Sequence, residues 1–133
     1  GAAKIEALEP LDLNRLALDF PRVNFVIPHF GAGYFRETLM LGDMCPNVHV
    51  DTSSTNSWIR YVPGLADLKE VFFRALEVFG PRRILFGSDS SFFPRGWNSE
   101  IFRTQVEILH ELACPAAKAQ AILGGNLDRL VAA

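Results

Sequence analysis

Neither sign of charge is in excess: 13 Lys and Arg stand against 15 Asp and Glu in 133 residues. That balance leaves no electrostatic footprint for nucleic acid or for an anionic membrane surface. No apolar run approaches the ~18 residues of a membrane span. The opening stretch Gly1-Ala2-Ala3-Lys4-Ile5-Glu6 lacks the apolar core of a signal peptide. Cysteine is scarce, and Cys45 and Cys114 form no paired motif. Two free, partly buried thiols in a cytoplasmic protein are expected rather than one disulfide. Repeats, low-complexity tracts and linkers are absent too, so residues 1–133 read as a single domain, long enough for a real core.

What the chain does have is apolar residues, 49% of the total, arranged as short runs separated by helical patterns. Leu11, Leu13, Leu16, Ala17 and Phe20 recur at helical spacing until Pro21 stops them. Val23 to Pro28 is a strand candidate. A helix follows from Tyr34, with Gly42 suited to its C-terminal end. Val48-His49-Val50-Asp51 is a second strand, and residues 52–57 make a polar loop. From about Leu65 to Phe79 an apolar stripe predicts the longest helix. Gly80-Pro81 ends it, and the third strand begins at Arg83. Ser90 to Asn98 reads as a loop. Helices are expected over about 99–113, 115–123 and 127–131, with Pro115 at a first helical position, Gly124-Gly125 closing one helix and Asn126 capping the next. Strands alternating with helices over short connections imply a parallel α/β sheet.

The chemistry-bearing residues stand where such a sheet presents them, just past strand ends. Arg83-Ile84-Leu85-Phe86-Gly87-Ser88-Asp89 runs from a buried strand into a carboxylate. Val23 to Pro28 runs into His29 and then Gly31-Ala32-Gly33. Both ends carry types able to bind a metal or transfer a proton. Asp89 is also good turn chemistry within Ser-Asp-Ser-Ser, and His29 could equally be hydrogen-bonded beside a glycine loop. His49 alternates with Val48 and Val50 and suits a core or supporting role, whereas His110 suits a helix surface. Asp51 and Ser53 could touch substrate or simply satisfy their loop. Arg95 is a candidate anion partner by bidentate pairing, in a loop whose aromatics either form a lid or pack on the last helices. The glycines after His29 also resemble a stub of a dinucleotide-binding turn, with Asp51 about 20 residues on, although Arg36 occupies the third glycine position.

Four blocks together resemble one family. The stretch 20–33 is similar to the sixth-strand signature of metal-dependent hydrolases of the amidohydrolase superfamily, nearest the aminocarboxymuconate-semialdehyde decarboxylase-like branch. Asn47 to Ser53 is similar to that family's seventh strand and Phe79 to Asp89 to its eighth. Gly125 to Leu130 resembles the motif opening its closing helix. The resemblance implies the C-terminal part, strands six to eight, of a TIM-like (β/α)₈ barrel. It implies a hydrolase or non-oxidative decarboxylase of a small carboxylated or cyclic substrate. It assigns Asp89 and His29 as catalytic residues and ligands of a divalent metal, zinc foremost, and leaves Arg95 and Ser53 as substrate contacts.

Two departures qualify what this chain does alone. The family's His-x-His pair is absent, since the three histidines are His29, His49 and His110, and the fifth-strand ligand would lie before Gly1. A catalytic zinc usually takes three protein ligands and a water. A complete barrel needs about 250 residues, and three parallel strands leave unpaired edges. The chain is therefore expected to be inactive alone, and to self-associate or pair with the missing barrel half.

Overall fold

Three short strands carry the architecture: β1 (Phe25–Ile27), β2 (Val48–Asp51) and β3 (Ile84–Leu85). The computed structural model describes residues 9–90 and 96–132. The strands form one parallel sheet in the order β1-β2-β3, as the alternating pattern implies. Register places Phe25 beside Val48, Ile27 beside Val50, and Val50 beside Ile84, so these residues share one face. That face joins the main core with Leu41 of α2 (Phe35–Met44) and with Val71, Phe72 and Ala75 of α3 (Leu68–Phe79). Phe72 is wholly buried and stacks edge-on against Phe30 at 5.1 Å; burying a ring of this kind stabilises by roughly 1.5–3 kcal/mol. The opposite face carries Val26, His49 and Leu85, and Val26 remains 42% exposed.

The remaining helices are α1 (Leu13–Asp19), α4 (Ser99–Glu111), α5 (Ala116–Gln120) and α6 (Asn126–Ala132). Several boundaries differ from the sequence pattern, each for a local reason. The helix expected to be the longest, α3, starts at Leu68 rather than Leu65, and at 12 residues it is one shorter than α4. Asp67 accepts a hydrogen bond from the Glu70 amide (2.9 Å), and the Glu70 carboxylate accepts one from the Ala66 amide (2.8 Å). This reciprocal pair fixes the first turn. Gly42 lies inside α2, not at its end, because the Phe79 ring occupies the space above it: a Cβ there would sit 2.3 Å from the ring.

Gly124 and Gly125 do not close a helix either. Ala121–Gly125 is a wide π turn that continues into α6. Asn126 is no N-cap; it is buried, and its amide donates to the carbonyls of Pro81 (2.6 Å) and Ile84 (2.8 Å). The π turn also brings the Ile122 carbonyl to the Phe86 amide at 2.9 Å, so the chain leaving β3 is held by the backbone of that turn. Pro115 sits one position before α5, as its N-cap.

Arg83, immediately before β3, is a tie that no sequence motif announced. Its guanidinium donates to five carbonyls, those of Phe79, Val78, Gly42, Cys45 and Val48, at 2.9–3.1 Å. It thereby satisfies the open carbonyls at the ends of α2 and α3 and locks both helices to the sheet. Both cysteines are free, with Cys45 buried and Cys114 half-buried. Among the described residues no helix is long and apolar enough to cross a membrane.

Candidate active site

The C-terminal ends of the three strands form one rim, and the backbone there is unusual. His29, Phe30, Ala32, Ser54, Asn56 and Asp89 all have positive φ, from +52° to +72°. Non-glycine residues rarely adopt this region, at a cost of about 1–3 kcal/mol each, and such strain concentrates at functional sites. Only one other described non-glycine residue, Ala113 at the end of α4, shares it. His29 belongs to a left-handed run with Phe30 and Gly31 that turns the chain sharply after β1. Gly31 permits this twice over: its φ is +84°, and a Cβ would collide with the Thr38 side chain. Phe30, wholly buried, pins the turn into the core.

The middle strand ends in a dense polar network. One oxygen of Asp51, Oδ1, accepts from the His29 amide (2.9 Å), the Ser53 amide (3.0 Å) and the Ser53 hydroxyl (2.5 Å). The Ser53 Oγ also lies 2.7 Å from Nδ1 of His29, whose ring is half-buried. Thr52 beside it exchanges two bonds with Gln105 of α4: its hydroxyl reaches Gln105 Oε1 at 2.5 Å, and Gln105 Nε2 reaches its carbonyl at 2.7 Å. Asn56 donates to the carbonyls of Thr52 and Ser54 and accepts from the Trp58 indole. Half of the stretch read as a polar loop is therefore interior, with Thr52, Ser53 and Asn56 buried. No motif in the sequence singles out Gln105. Its only signal is a polar side chain on the apolar stripe that includes Ile101 and Ile108.

Asp89 ends the third branch. Its carboxylate is exposed and has no hydrogen-bond partner among the described residues. It lines a cavity of about 320 Å³ with Ser54, Thr55, Ser88, Ser90, Gly96, Asn98 and Ile101. Asn98 accepts from the amides of Glu100 and Ile101, so the cavity wall is the capped start of α4. His29 lines a different groove, about 400 Å³, that runs along the open edge of β1 past Val26, Ile27 and Tyr34. Thus the rim brings His29, Asp51 and Ser53 into direct contact, Gly87 approaches Ser53 closely, and Asp89 lines a separate cavity with Ser54 and Thr55. A Cβ on Gly87 would stand 3.0 Å from that of Ser53. Arg95 lies outside the described residues. Trp97 packs against Phe86 and Phe102, with centroids 6.1 and 5.7 Å away, so this aromatic of the loop rests on α4. His49 is buried and its Nδ1 sits 3.3 Å from the Asn47 carbonyl, while His110 is exposed.

A parallel sheet whose strand ends carry the polar residues is the arrangement of α/β barrel enzymes, and comparison with known proteins decides which. The model of a family described as amidohydrolase matches residues 1–131. The chain belongs to the amidohydrolase family. It is 31% identical over 86 residues to Protein fluG of Emericella nidulans, a match covering 64% of this chain and 9% of that protein. Among solved structures it is similar to an amidohydrolase from Burkholderia multivorans with bound zinc. That superposition has a TM-score of 0.69 at 22% identity and covers 91% of this chain and 48% of the other. A second crystal form of that protein, with bound HEPES, gives 0.68 at 21% identity. The chain thus spans about half the length of the solved amidohydrolase and has its fold over that span.

Amidohydrolase membership raises the question of a metal. Among the described residues no three His, Cys, Asp or Glu side chains gather into a possible ligand set. His29 and Asp89 are candidate donors, but two ligands fall short of the three protein ligands a catalytic zinc usually takes. The described residues alone do not fit such a site.

Proposed function

We propose that this amidohydrolase chain forms strands six to eight of a (β/α)₈ barrel and carries part of the active site of a metal-dependent hydrolase or non-oxidative decarboxylase. The substrate is a small carboxylated or cyclic molecule, and the affinity is to the aminocarboxymuconate-semialdehyde decarboxylase-like branch. The observation that carries this reading is Asp89: an exposed carboxylate without a described partner, held in a strained left-handed backbone at the end of a parallel strand. Holding φ at +59° on an aspartate costs stability with no visible structural return, which is how positioned catalytic groups behave. Asp89 and His29 are this chain's contribution to a divalent metal, zinc foremost, whose other ligands lie outside the described residues.

The substitution Asp89→Asn in the protein carrying the complete barrel tests this. Asparagine keeps the shape and tolerates positive φ, so thermal stability should stay within about 0.5 kcal/mol. Turnover of small cyclic or carboxylated substrates should fall at least about 100-fold, and bound zinc should decrease. Undiminished turnover and metal content in Asp89→Asn would sink the assignment. Residues 1–133 alone, purified without added metal, should not retain zinc stoichiometrically through these two side chains.

The open edge of β1 favours a second element of the proposal, association. β1 pairs only with β2 among the described strands, and Val23 and Val26 beside its free edge are 46% and 42% exposed. An unpaired, apolar edge of this kind invites another strand, supplied by the other barrel half or by a second copy.

A further inference from the structure

His29, Ser53 and Asp51 comprise the residue types of a nucleophilic triad, but their hydrogens are disposed differently. Asp51 Oδ1 accepts two backbone amides, those of His29 and Ser53, so this oxygen carries no hydrogen of its own. The 2.5 Å contact from Ser53 Oγ to the same oxygen must then carry the serine's single hydrogen. Ser53 Oγ, its proton committed to Asp51, can only accept from His29 Nδ1 at 2.7 Å. The carbonyl of Ser53, which can never donate, faces the same nitrogen at 3.3 Å. Two acceptors converge on Nδ1, so the neutral ring must carry its proton there. Nε2 makes no hydrogen bond among the described residues.

We infer that Asp51 and Ser53 are positioning residues that hold His29 as its Nδ1–H tautomer, leaving Nε2 as a bare lone pair at the strand-end rim. This rests on the proposed hydrolase reading for its purpose. In that setting a neutral His29 can ligate a divalent ion or accept a proton through Nε2, and it cannot donate a hydrogen bond from that atom to a substrate oxygen. The arrangement is the outer support that metal-binding and basic histidines generally need, here a serine relay to a carboxylate. It also accounts for Ser53 being only 6% exposed. A buried hydroxyl with both partners filled serves the ring beside it, not the substrate, and it is not poised as a nucleophile.

Nitrogen NMR of the ring reads the tautomer directly, without metal or turnover. Long-range proton–nitrogen spectra of the chain labelled with 15N-histidine, recorded at about pH 8, above the ordinary histidine range, should show His29 protonated at Nδ1 and bare at Nε2. Loss of its cross-peaks in His29→Gln assigns it among the three histidines. Ser53→Ala removes the hydroxyl acceptor and leaves only the longer carbonyl contact, and Asp51→Ala frees the Ser53 hydroxyl to donate to Nδ1; both should raise the Nε2–H fraction above that of the wild type. A wild-type ring already in the Nε2–H form overturns the inference, whether or not the variants fold. So does a ring whose tautomer is unchanged in both folded variants. If the tautomer is as expected but the complete protein neither turns over substrate nor binds metal, the positioning network stands and the hydrolase reading fails.

Discussion

At the scale of single residues, burial decides what a histidine does. His49 lies in the same strand as Asp51 but is 4% exposed. Burial pushes its pKa below the ordinary 6.5, assisted by the cations of Arg83 and Arg129 and opposed by the carbonyls of Asn47 and Phe25. The folded protein therefore holds His49 neutral where the unfolded chain has begun to protonate it. Its contribution to stability is complete above about pH 6.5 and is lost as pH falls below that value, until the folded form takes up the proton as well. The slope from this one group is at most about 1.4 kcal/mol per pH unit. Chemical denaturation of His49→Gln between pH 7 and 5 should show a correspondingly shallower decline than the wild type; identical slopes would show that another group governs this range. The pattern Val-His-Val-Asp made His49 legible as a residue sharing a face with Asp51. It did not reveal that Asp51, two residues on, gathers three hydrogen bonds on one oxygen, because one of those donors, the His29 amide, comes from a turn 22 residues away in the chain.

At the scale of elements, close approach matters more than propensity. Gly42 in α2 and Phe79 at the end of α3 are 37 residues apart, yet the ring lies where a Cβ of residue 42 would be. Alanine has the better helix propensity, by about 1 kcal/mol, and α2 on its own would gain from Gly42→Ala. The overlap outweighs that gain: overpacking typically costs about 1–3 kcal/mol, and a contact of 2.3 Å with a buried ring is severe. Gly42→Ala should therefore lower the midpoint of thermal or denaturant unfolding; a stabilised variant would mean that α2 and α3 pack less closely than described. A glycine near the end of an apolar pattern looks like a helix stop, and only the facing ring shows that the helix runs through it. The same holds for Asn126, which reads as a cap in sequence and serves instead as a clamp on β3.

At the scale of the whole molecule, the sheet has a covered face and an incompletely covered edge. Helices α2 and α3 bury the face carrying Val48, Val50 and Ile84, and beyond β3 the Phe86 amide finds the Ile122 carbonyl. Nothing comparable lies beyond β1 among the described residues. Leu16, Leu18, Phe20 and Val23 in the preceding helix and turn are 46–60% exposed as well. Sedimentation or light scattering of residues 1–133 should accordingly give a mass above that of one chain, with Val26→Lys at the edge strand shifting it toward the monomer. A wild-type chain that is monomeric at all concentrations, with cooperative unfolding, would contradict association through this edge.

The sequence by itself determined the parallel α/β class, the place of each strand and the arrival of His29, Asp51 and Asp89 at strand ends. Those follow from local causes: the two- and near-four-residue periods of apolar side chains, turn chemistry, and the polarity of residues just past each strand. Tertiary structure alone decided which polar groups meet. The Asp51–Ser53–His29 relay, the Thr52–Gln105 exchange 53 residues apart, and the five-carbonyl grip of Arg83 all depend on separations fixed by packing. Hydrogen bonds are short and directional, so their partners follow from the meeting of whole elements rather than from any stretch read alone.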